Sequence, residues 1–512
     1  MSSSEAMRDV RVRLRLDGRR ARRWHLRLAD ALARHPGACL EVDARPGPDH
    51  WPDNADLLFR LETAIHGLPQ IGPAAHLDAR TPPSWPAPGN APPDLVIDLC
   101  GDVPETGAVR LWRVLYDGQA GEAALLASLL AGRAPIAEIV EGQRVLCSGR
   151  LGTEVRGVAL TMFEDALVRT ATMIEAALKG RAPLLGADAP SSAALRLRTS
   201  DLGLRAVRML AGAIVRRLYH LCYRAPHWRV GWRRLDGPGL VTLGHLPEIG
   251  WREVPDDGRR FYADPFPFEH QGEPWLFVEE YVHALGKALI SAVRFGPEGA
   301  IGVPVPVLET GCHLSYPFVF ARDGAVWMVP ESCGAGSIDL YRAASFPGGW
   351  VKEATLVSGI AASDATLLEH AGRWWMFAAV RGNDAEAALG NGSFSDALHL
   401  WTAPDFRGPW TPHAANPVLI DIASARPAGR IVRRGADLIR PVQDCTRGYG
   451  QALALARIER LDDEAFAQRV EARIEAGPAW PGSRLHTLNA AAGYEFIDGS
   501  ARAPRFKPSL RR

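Results

Sequence analysis

At 512 residues the chain is long enough for two or three domains with substantial cores. A net charge of +1, with only the lysines Lys179, Lys287, Lys352 and Lys507 beside many arginines, excludes a global electrostatic pull toward nucleic acid. Seven irregularly spaced cysteines (Cys39, Cys100, Cys147, Cys222, Cys312, Cys333, Cys445) without a C-x-x-C exclude a dense disulfide framework and point to reduced thiols in a cytoplasmic protein.

Residues 9–15 alternate Val, Leu and Arg, which predicts a strand with one basic face. Gly18 turns the chain, and Ala21 to Arg34 reads as an amphipathic helix carrying Trp24 and Leu26. A second strand is expected over Cys39 to Val42 and a helix over Leu57 to Ile65. The Pro-rich stretch Thr81 to Pro93 is a loop. Asp94 to Leu99 (DLVIDL) is an unbroken apolar run, as a buried parallel strand requires. A closing helix follows from Val155 to Leu178. Strands alternating with helices predict an α/β layer over residues 1–185. No G-x-G-x-x-G or Walker sequence supports nucleotide binding.

This region resembles the formyltransferase N-terminal fold over roughly Val10 to Gly180, on the opening strand and helix with Trp24 and on DLVIDL. The family carries an Asn and a His beyond such a strand. Here Cys100-Gly-Asp-Val-Pro follows, so the resemblance implies the fold without formyl transfer, and Asp98 and Asp102 are expected to cap the strand end.

Residues 186–227 form a linker. It opens on Gly186 to Ser192 and continues in an amphipathic helical segment. The apolar stretch Leu204 to Cys222 carries Arg205, Arg208, Arg216 and Arg217, which excludes a spanning helix and leaves an interdomain or membrane-surface role. No signal peptide is expected.

Over residues 228–512 one pattern recurs. Asp264-Pro-Phe-Pro-Phe leads to Gly272 and Trp275, Tyr316-Pro-Phe-Val-Phe to Gly324 and Trp327, and Asp364-Ala-Thr-Leu-Leu to Gly372 and Trp375, with the same internal spacing each time. Weaker copies run from Arg426 to Arg440 with Gly435, and from His486 to Asp498 with Gly493. An apolar run, a Gly turn and a returning apolar run make a hairpin. Five hairpins at this period predict an all-β, five-bladed propeller. The inner strand of each blade lines the channel, so Asp264, Tyr316, Asp364, Arg426 and His486 are expected at one mouth, joined by Glu279, Glu280 and Glu331. The repeated tryptophans are expected in the blade cores.

Phe261-Tyr-Ala-Asp-Pro is similar to the first-blade motif of family 43 glycoside hydrolases. With His313-Leu-Ser-Tyr-Pro-Phe, Pro330-Glu-Ser, Ser363-Asp-Ala-Thr-Leu, Arg426-Pro-Ala-Gly-Arg, Arg440-Pro-Val-Gln-Asp-Cys, Tyr449-Gly and His486-Thr-Leu-Asn, the span from about Trp228 to Asp498 resembles the N-terminal propeller of the plant glucosamine inositolphosphorylceramide transferases and bacterial relatives. The hydrolase resemblance implies Asp264 as general base and Asp364 as the residue that tunes the acid. Its fourth-blade proton donor is a Glu, where this chain has Gln443 and Asp444, so Glu331 is the candidate acid.

The expected function is a carbohydrate-active protein of glycosidase or glycosyl-transfer type, acting by carboxylate acid–base chemistry. Its catalytic candidates are Asp264, Glu331, Asp364 and Asp444. Its substrate-binding candidates are Glu280, Tyr316, Arg426, Arg440, Gln443, Tyr449, His486 and Asn489. A glycan-binding propeller without turnover is the first alternative, and a formyl or acyl transferase with the propeller as specificity domain the second. The expected partner is a glycan or sugar conjugate, with no nucleic acid, no transmembrane segment, no cofactor and no metal.

Overall fold

The computed structural model describes residues 10–505 apart from 49–50, 70, 79–82, 154, 187–194, 196, 249, 383–391, 479 and 481–482. The expected linker start at Gly186 to Ser192 therefore falls, beyond Gly186, outside the described residues. The chain divides near residue 210 into two compact units.

The first unit is built on one mixed sheet. Ala38–Asp43, Val10–Arg15, Leu95–Asp98 and Arg110–Tyr116 lie side by side in that order and run parallel. Ile136–Glu141 and Arg144–Arg150 extend the sheet antiparallel. Leu95–Asp98 is buried at every position because it has a parallel neighbour on each side. The helix Asp53–His66 starts earlier than its apolar pattern suggested, just after Pro52, and ends where Gly67 turns left-handed. Its buried Glu62 accepts the N–H groups of Ala159 (2.9 Å) and Leu160 (2.7 Å). That carboxylate starts the helix Ala159–Leu178, four residues later than expected from Val155.

The second unit is a five-bladed propeller. The first blade runs from Arg260 to Leu308, the second from Ser315 to Ser358, the third from Ala362 to Ile420 and the fourth from Val432 to Ile474. The fifth blade combines both ends of the unit: Trp228–Arg234 pairs antiparallel with Tyr494–Ser500, next to Leu488–Ala491. This closure was not read from the repeats, because Trp228–Arg234 carries no copy of the motif. Four blades have four strands and the third has five. There, Pro409, Pro412 and Pro417 lack the N–H a continuous edge strand needs. The edge is divided between Thr411–Pro412 and Leu419–Ile420, both paired to Ala397–Ala403.

The repeated glycines make two-residue hairpin turns. Gln271–Gly272, Asp323–Gly324, Ala371–Gly372 and Ala492–Gly493 all have positive φ at both positions, the turn whose twist matches paired strands. Trp327 and Trp375 are buried, and Trp275 packs half-buried on the same core as Trp327. Among the described residues no helix is long and apolar enough to cross a membrane.

The closing strand gives a stability prediction. A Cβ on Gly231 would lie 2.3 Å from the Trp480 ring. Gly231→Val should therefore lower propeller stability by about 2–3 kcal/mol, read as a shifted urea midpoint in tryptophan fluorescence.

Candidate functional site

The first residue of the motif occupies the same unusual backbone position in three blades. Asp264, Tyr316 and Asp364 have φ of 47°, 44° and 57°. Each sits in a break of strand register, between Ala263 and Phe266, Ser315 and Phe318, and Ser363 and Thr366. An extra residue in the left-handed region bulges each inner strand and re-aims one side chain. Asp tolerates this conformation, whereas a tyrosine there is strained. The hydroxyl of Tyr316 is held from two sides, 2.8 Å from Thr366 Oγ1 and accepting the Gly429 N–H at 2.7 Å.

A bulged residue turns its N–H out of the ladder. In all three blades that N–H goes to a carboxylate of the preceding blade around the ring. Asp264 donates to Asp498 Oδ2 (2.8 Å), Tyr316 to Asp264 Oδ2 (3.1 Å) and Asp364 to Glu331 Oε2 (3.2 Å). The acids on the returning strands are cross-strand partners of the residues before the bulges. Glu279 pairs with Ala263 and Glu331 with Ser315, while Ala379 pairs with Ser363. In the fourth blade Gln443 takes this place, its N–H bonded to the Arg426 carbonyl (3.0 Å), and in the fifth Asp498 does, beside Thr487.

Two buried clusters result. In one, Asp498 Oδ1 accepts from His486 Nδ1 (2.6 Å) and the Thr487 N–H (2.9 Å). Asp264 Oδ1 accepts from the Thr487 hydroxyl (2.7 Å), with His486 Nε2 at 3.4 Å. In the other, Asp364 Oδ2 accepts from Arg426 Nε (2.6 Å) and Gln443 Nε2 (3.1 Å), and Arg426 also lies 3.8 Å from Glu331. The Arg426 guanidinium covers the ring of Tyr449 at 4.8 Å, and Tyr449 and Trp228 both pack against His486. At the more open edge, His313 Nε2 lies 3.4 Å from Glu279.

Of the expected site residues, Asp264, Tyr316, Glu331, Asp364, Arg426, Gln443, Tyr449 and His486 come together. Asn489 borders them, donating to the Pro265 carbonyl (2.9 Å) and accepting the Arg430 N–H (2.9 Å). Glu280, Arg440 and Asp444 do not join them. Glu280 bonds Arg260 (2.6 Å) and Ser291 (2.6 Å). Arg440 donates to the Ser424 and Ala425 carbonyls and to Gln468. Asp444 accepts from Thr446 and pairs with Arg473. The physical reason is the pleat: neighbours on a strand face opposite ways, so Glu279 and Gln443 point in while Glu280 and Asp444 point out. Asp498, Thr487 and His313 were not singled out as site residues. Asp498 was legible only as the partner that ends the fifth hairpin.

Burial and neighbouring charges set the protonation of the site. Burial pushes Asp264 up to about 7; Asp498, Glu279 and Asp364 add to this, and His486 opposes it. Burial, then Asp364, raises Glu331 well above the usual carboxylate range. Burial acts against a charge on His486, but Asp498 and Asp264 outweigh it and lift the imidazole to about 9. Arg426 is likewise held charged against burial, by Asp364, Tyr449 and Glu331.

Metal-ligating groupings of two kinds exist among the described residues. Asp264, His486 and Asp498 in the propeller each offer a ligand atom within 4.8 Å of the others, as do Asp98, Cys100 and Asp102 in the first unit. In the second grouping Asp98 accepts the N–H groups of Cys100, Gly101 and Val103, a strand-end cap, and Asp102 pairs with Arg15.

Residues 253–495 match the family described as glucosamine inositolphosphorylceramide transferase 1, N-terminal. The chain is 31% identical over 280 residues to Glucosamine inositolphosphorylceramide transferase 1 of Arabidopsis thaliana, covering 52% of this chain and 35% of that protein. It is 31% identical over 242 residues to the protein of the same name from Oryza sativa subsp. japonica, covering 45% and 31%. The chain thus spans about a third of the length of these curated relatives. Among solved structures it is similar to a thermostable family-43 glycoside hydrolase (TM-score 0.32, 14% identity, 44% of this chain and 78% of that one). It is also similar to Zg3597, a family 117 glycoside hydrolase of Zobellia galactanivorans (TM-score 0.34, 12% identity, 56% and 96%). The similarity therefore lies within the propeller and reaches the part of those proteins described as N-terminal.

Two outcomes follow from the geometry. Asp498→Asn removes the charge that faces His486 and turns one of two accepting oxygens into a donor, which strands at least one buried N–H, and it should cost about 3 kcal/mol, against about 1 kcal/mol or less for Asp444→Asn, compared by urea denaturation. The second concerns pH. His486 is raised from 6.5 to about 9 in the fold, so its contribution is complete below pH 6.5 and is lost as pH rises toward 9. The thermal midpoint of the propeller should fall across that window, and His486→Gln should flatten the fall.

Proposed function

We propose that the propeller funnel recognises the sugar portion of a glycoconjugate and holds it at the edge formed by Glu279, His313 and Tyr449. One observation carries this reading. The carboxylates of Asp264, Asp498 and Glu331 each accept a bulge N–H from the next blade, and Asp264 also receives Thr487 and faces His486. A general base needs a lone pair directed at a reacting proton. Acceptors engaged in this way serve as a rigid floor beneath a ligand. Above the floor, the half-buried Tyr449 offers an aromatic face, and Glu279 and His313 offer polar groups for hydroxyls. Glucosamine and an inositolphosphorylceramide, both in the relatives' name, are the ligands to test first.

A second reading is acid–base turnover of glycosidase or glycosyl-transfer type. The observation that favours it is that Glu331 holds its proton well above the usual range, near Asp264, which titrates at about 7. Glu331 would then be the acid, Asp264 the base and Asp364 the residue that orients and tunes them.

Calorimetric titration with the two ligands, paired with an assay for sugar release or transfer, separates the readings. Under the binding reading, Tyr449→Ala weakens affinity at least ~10-fold. Glu331→Gln then changes affinity less than about threefold, and the parent shows no turnover. Turnover by the parent that falls ~100-fold or more in Glu331→Gln would replace the first reading with the second. Failure to bind either sugar ligand would remove the binding reading for this class.

A further inference from the structure

The helix Thr199–Cys222 presents its apolar residues outward. Its buried residues are Leu202 and Met209, separated by seven positions and so on one side. Leu204, Val207, Ile214, Val215, Leu218 and Leu221 are all about half exposed or more, from 51% to 65%. With 3.6 residues per turn they form one continuous arc of roughly 120°, on the side away from Leu202 and Met209. Arg208 stands at one border of this arc and Arg217 at the other, with Arg205 and Arg216 behind. Its only acid is Asp201, in the first turn. An apolar arc of this length is not left bare on an ordinary protein surface.

We infer that this helix lies flat on an anionic lipid surface, with its apolar arc among the acyl chains and Arg208 and Arg217 at the phosphate level. The charge pattern selects this occupant over a second copy of the chain. A second copy of the helix would bring no acid to Arg208 or Arg217, because its only acid is Asp201 in the first turn. A layer of lipid phosphates supplies the missing negative charge to both borders at once. Arginine stems also reach from the edge of an apolar face to the headgroups. The helix carries too many charges to span the bilayer, and among the described residues none qualifies as a span. At about 36 Å it lies in the interface along its whole length. This inference does not rest on the sugar-binding reading of the funnel.

Vesicle flotation of the full chain tests it. Phosphatidylcholine vesicles with about 30% phosphatidylserine should carry the protein, and pure phosphatidylcholine vesicles should bind it at least ~10-fold less. Raising salt from about 0.1 to 0.5 M should weaken binding to the anionic vesicles several-fold. Val207→Asp with Leu218→Asp should abolish flotation, and Arg208→Glu with Arg217→Glu should remove the preference for anionic lipid. These positions are exposed, so circular dichroism melts should match the parent. Ile214→Ser is a milder variant that should weaken flotation without touching the fold. Absence of flotation on either vesicle overturns the inference. So does a dimer in sedimentation that Leu218→Asp converts to monomer, because the apolar arc would then be a subunit contact.

Discussion

The propeller depends on what happens to three backbone N–H groups. The bulges at Asp264, Tyr316 and Asp364 take these donors out of their own ladders, and an unpaired buried donor is costly. Asp498, Asp264 and Glu331 accept them across successive blade boundaries. Each carboxylate therefore joins a blade to its neighbour at the channel wall. Asp498 does so at the closure, on a strand paired with Trp228–Arg234, so the same residue sits where the two ends of the propeller meet.

The latches concentrate acids where water is scarce, and two cations balance them. His486 stands between Asp498 and Asp264, and Arg426 between Asp364 and Glu331. A buried cation flanked by two carboxylates leaves one negative charge too many if both acids ionise. One acid of each group instead keeps its proton well above its ordinary range: Asp264 in the first, Glu331 in the second. Such groups titrate together rather than singly. The arrangement that secures the blades thereby leaves an exchangeable proton near the mouth, and this is why binding and turnover both find support in one site.

Several features were legible in the residues because they are local. Spacing from Asp264 to Gly272 and Trp275, repeated from Tyr316 and from Asp364, specifies a strand, a two-residue turn and a returning strand. The positive φ of both turn residues in the structure is the geometry that such turns require. Other features were legible only by halves. Glu279 and Glu280 are adjacent, as are Gln443 and Asp444, and only the inward member of each pair reaches the funnel. Which member that is depends on the strand register, and a bulge shifts register by one residue. Arg440 read as a funnel residue but sits on the outward face with Asp444, spent on the Ser424 and Ala425 carbonyls.

The sequence by itself determined the blade hairpins, the core tryptophans and the convergence of Asp264, Tyr316, Asp364, Arg426 and His486. These follow from periodicity and turn chemistry, which act over a few residues. Only the tertiary structure decided the closure by Trp228–Arg234, the pairing of His486 with Asp498 and of Arg426 with Asp364, and the outward apolar arc of Thr199–Cys222. Those contacts join residues far apart in the chain. Strand pairing and burial on the assembled ring choose such partners, and no local pattern encodes which distant donor a buried carboxylate will meet.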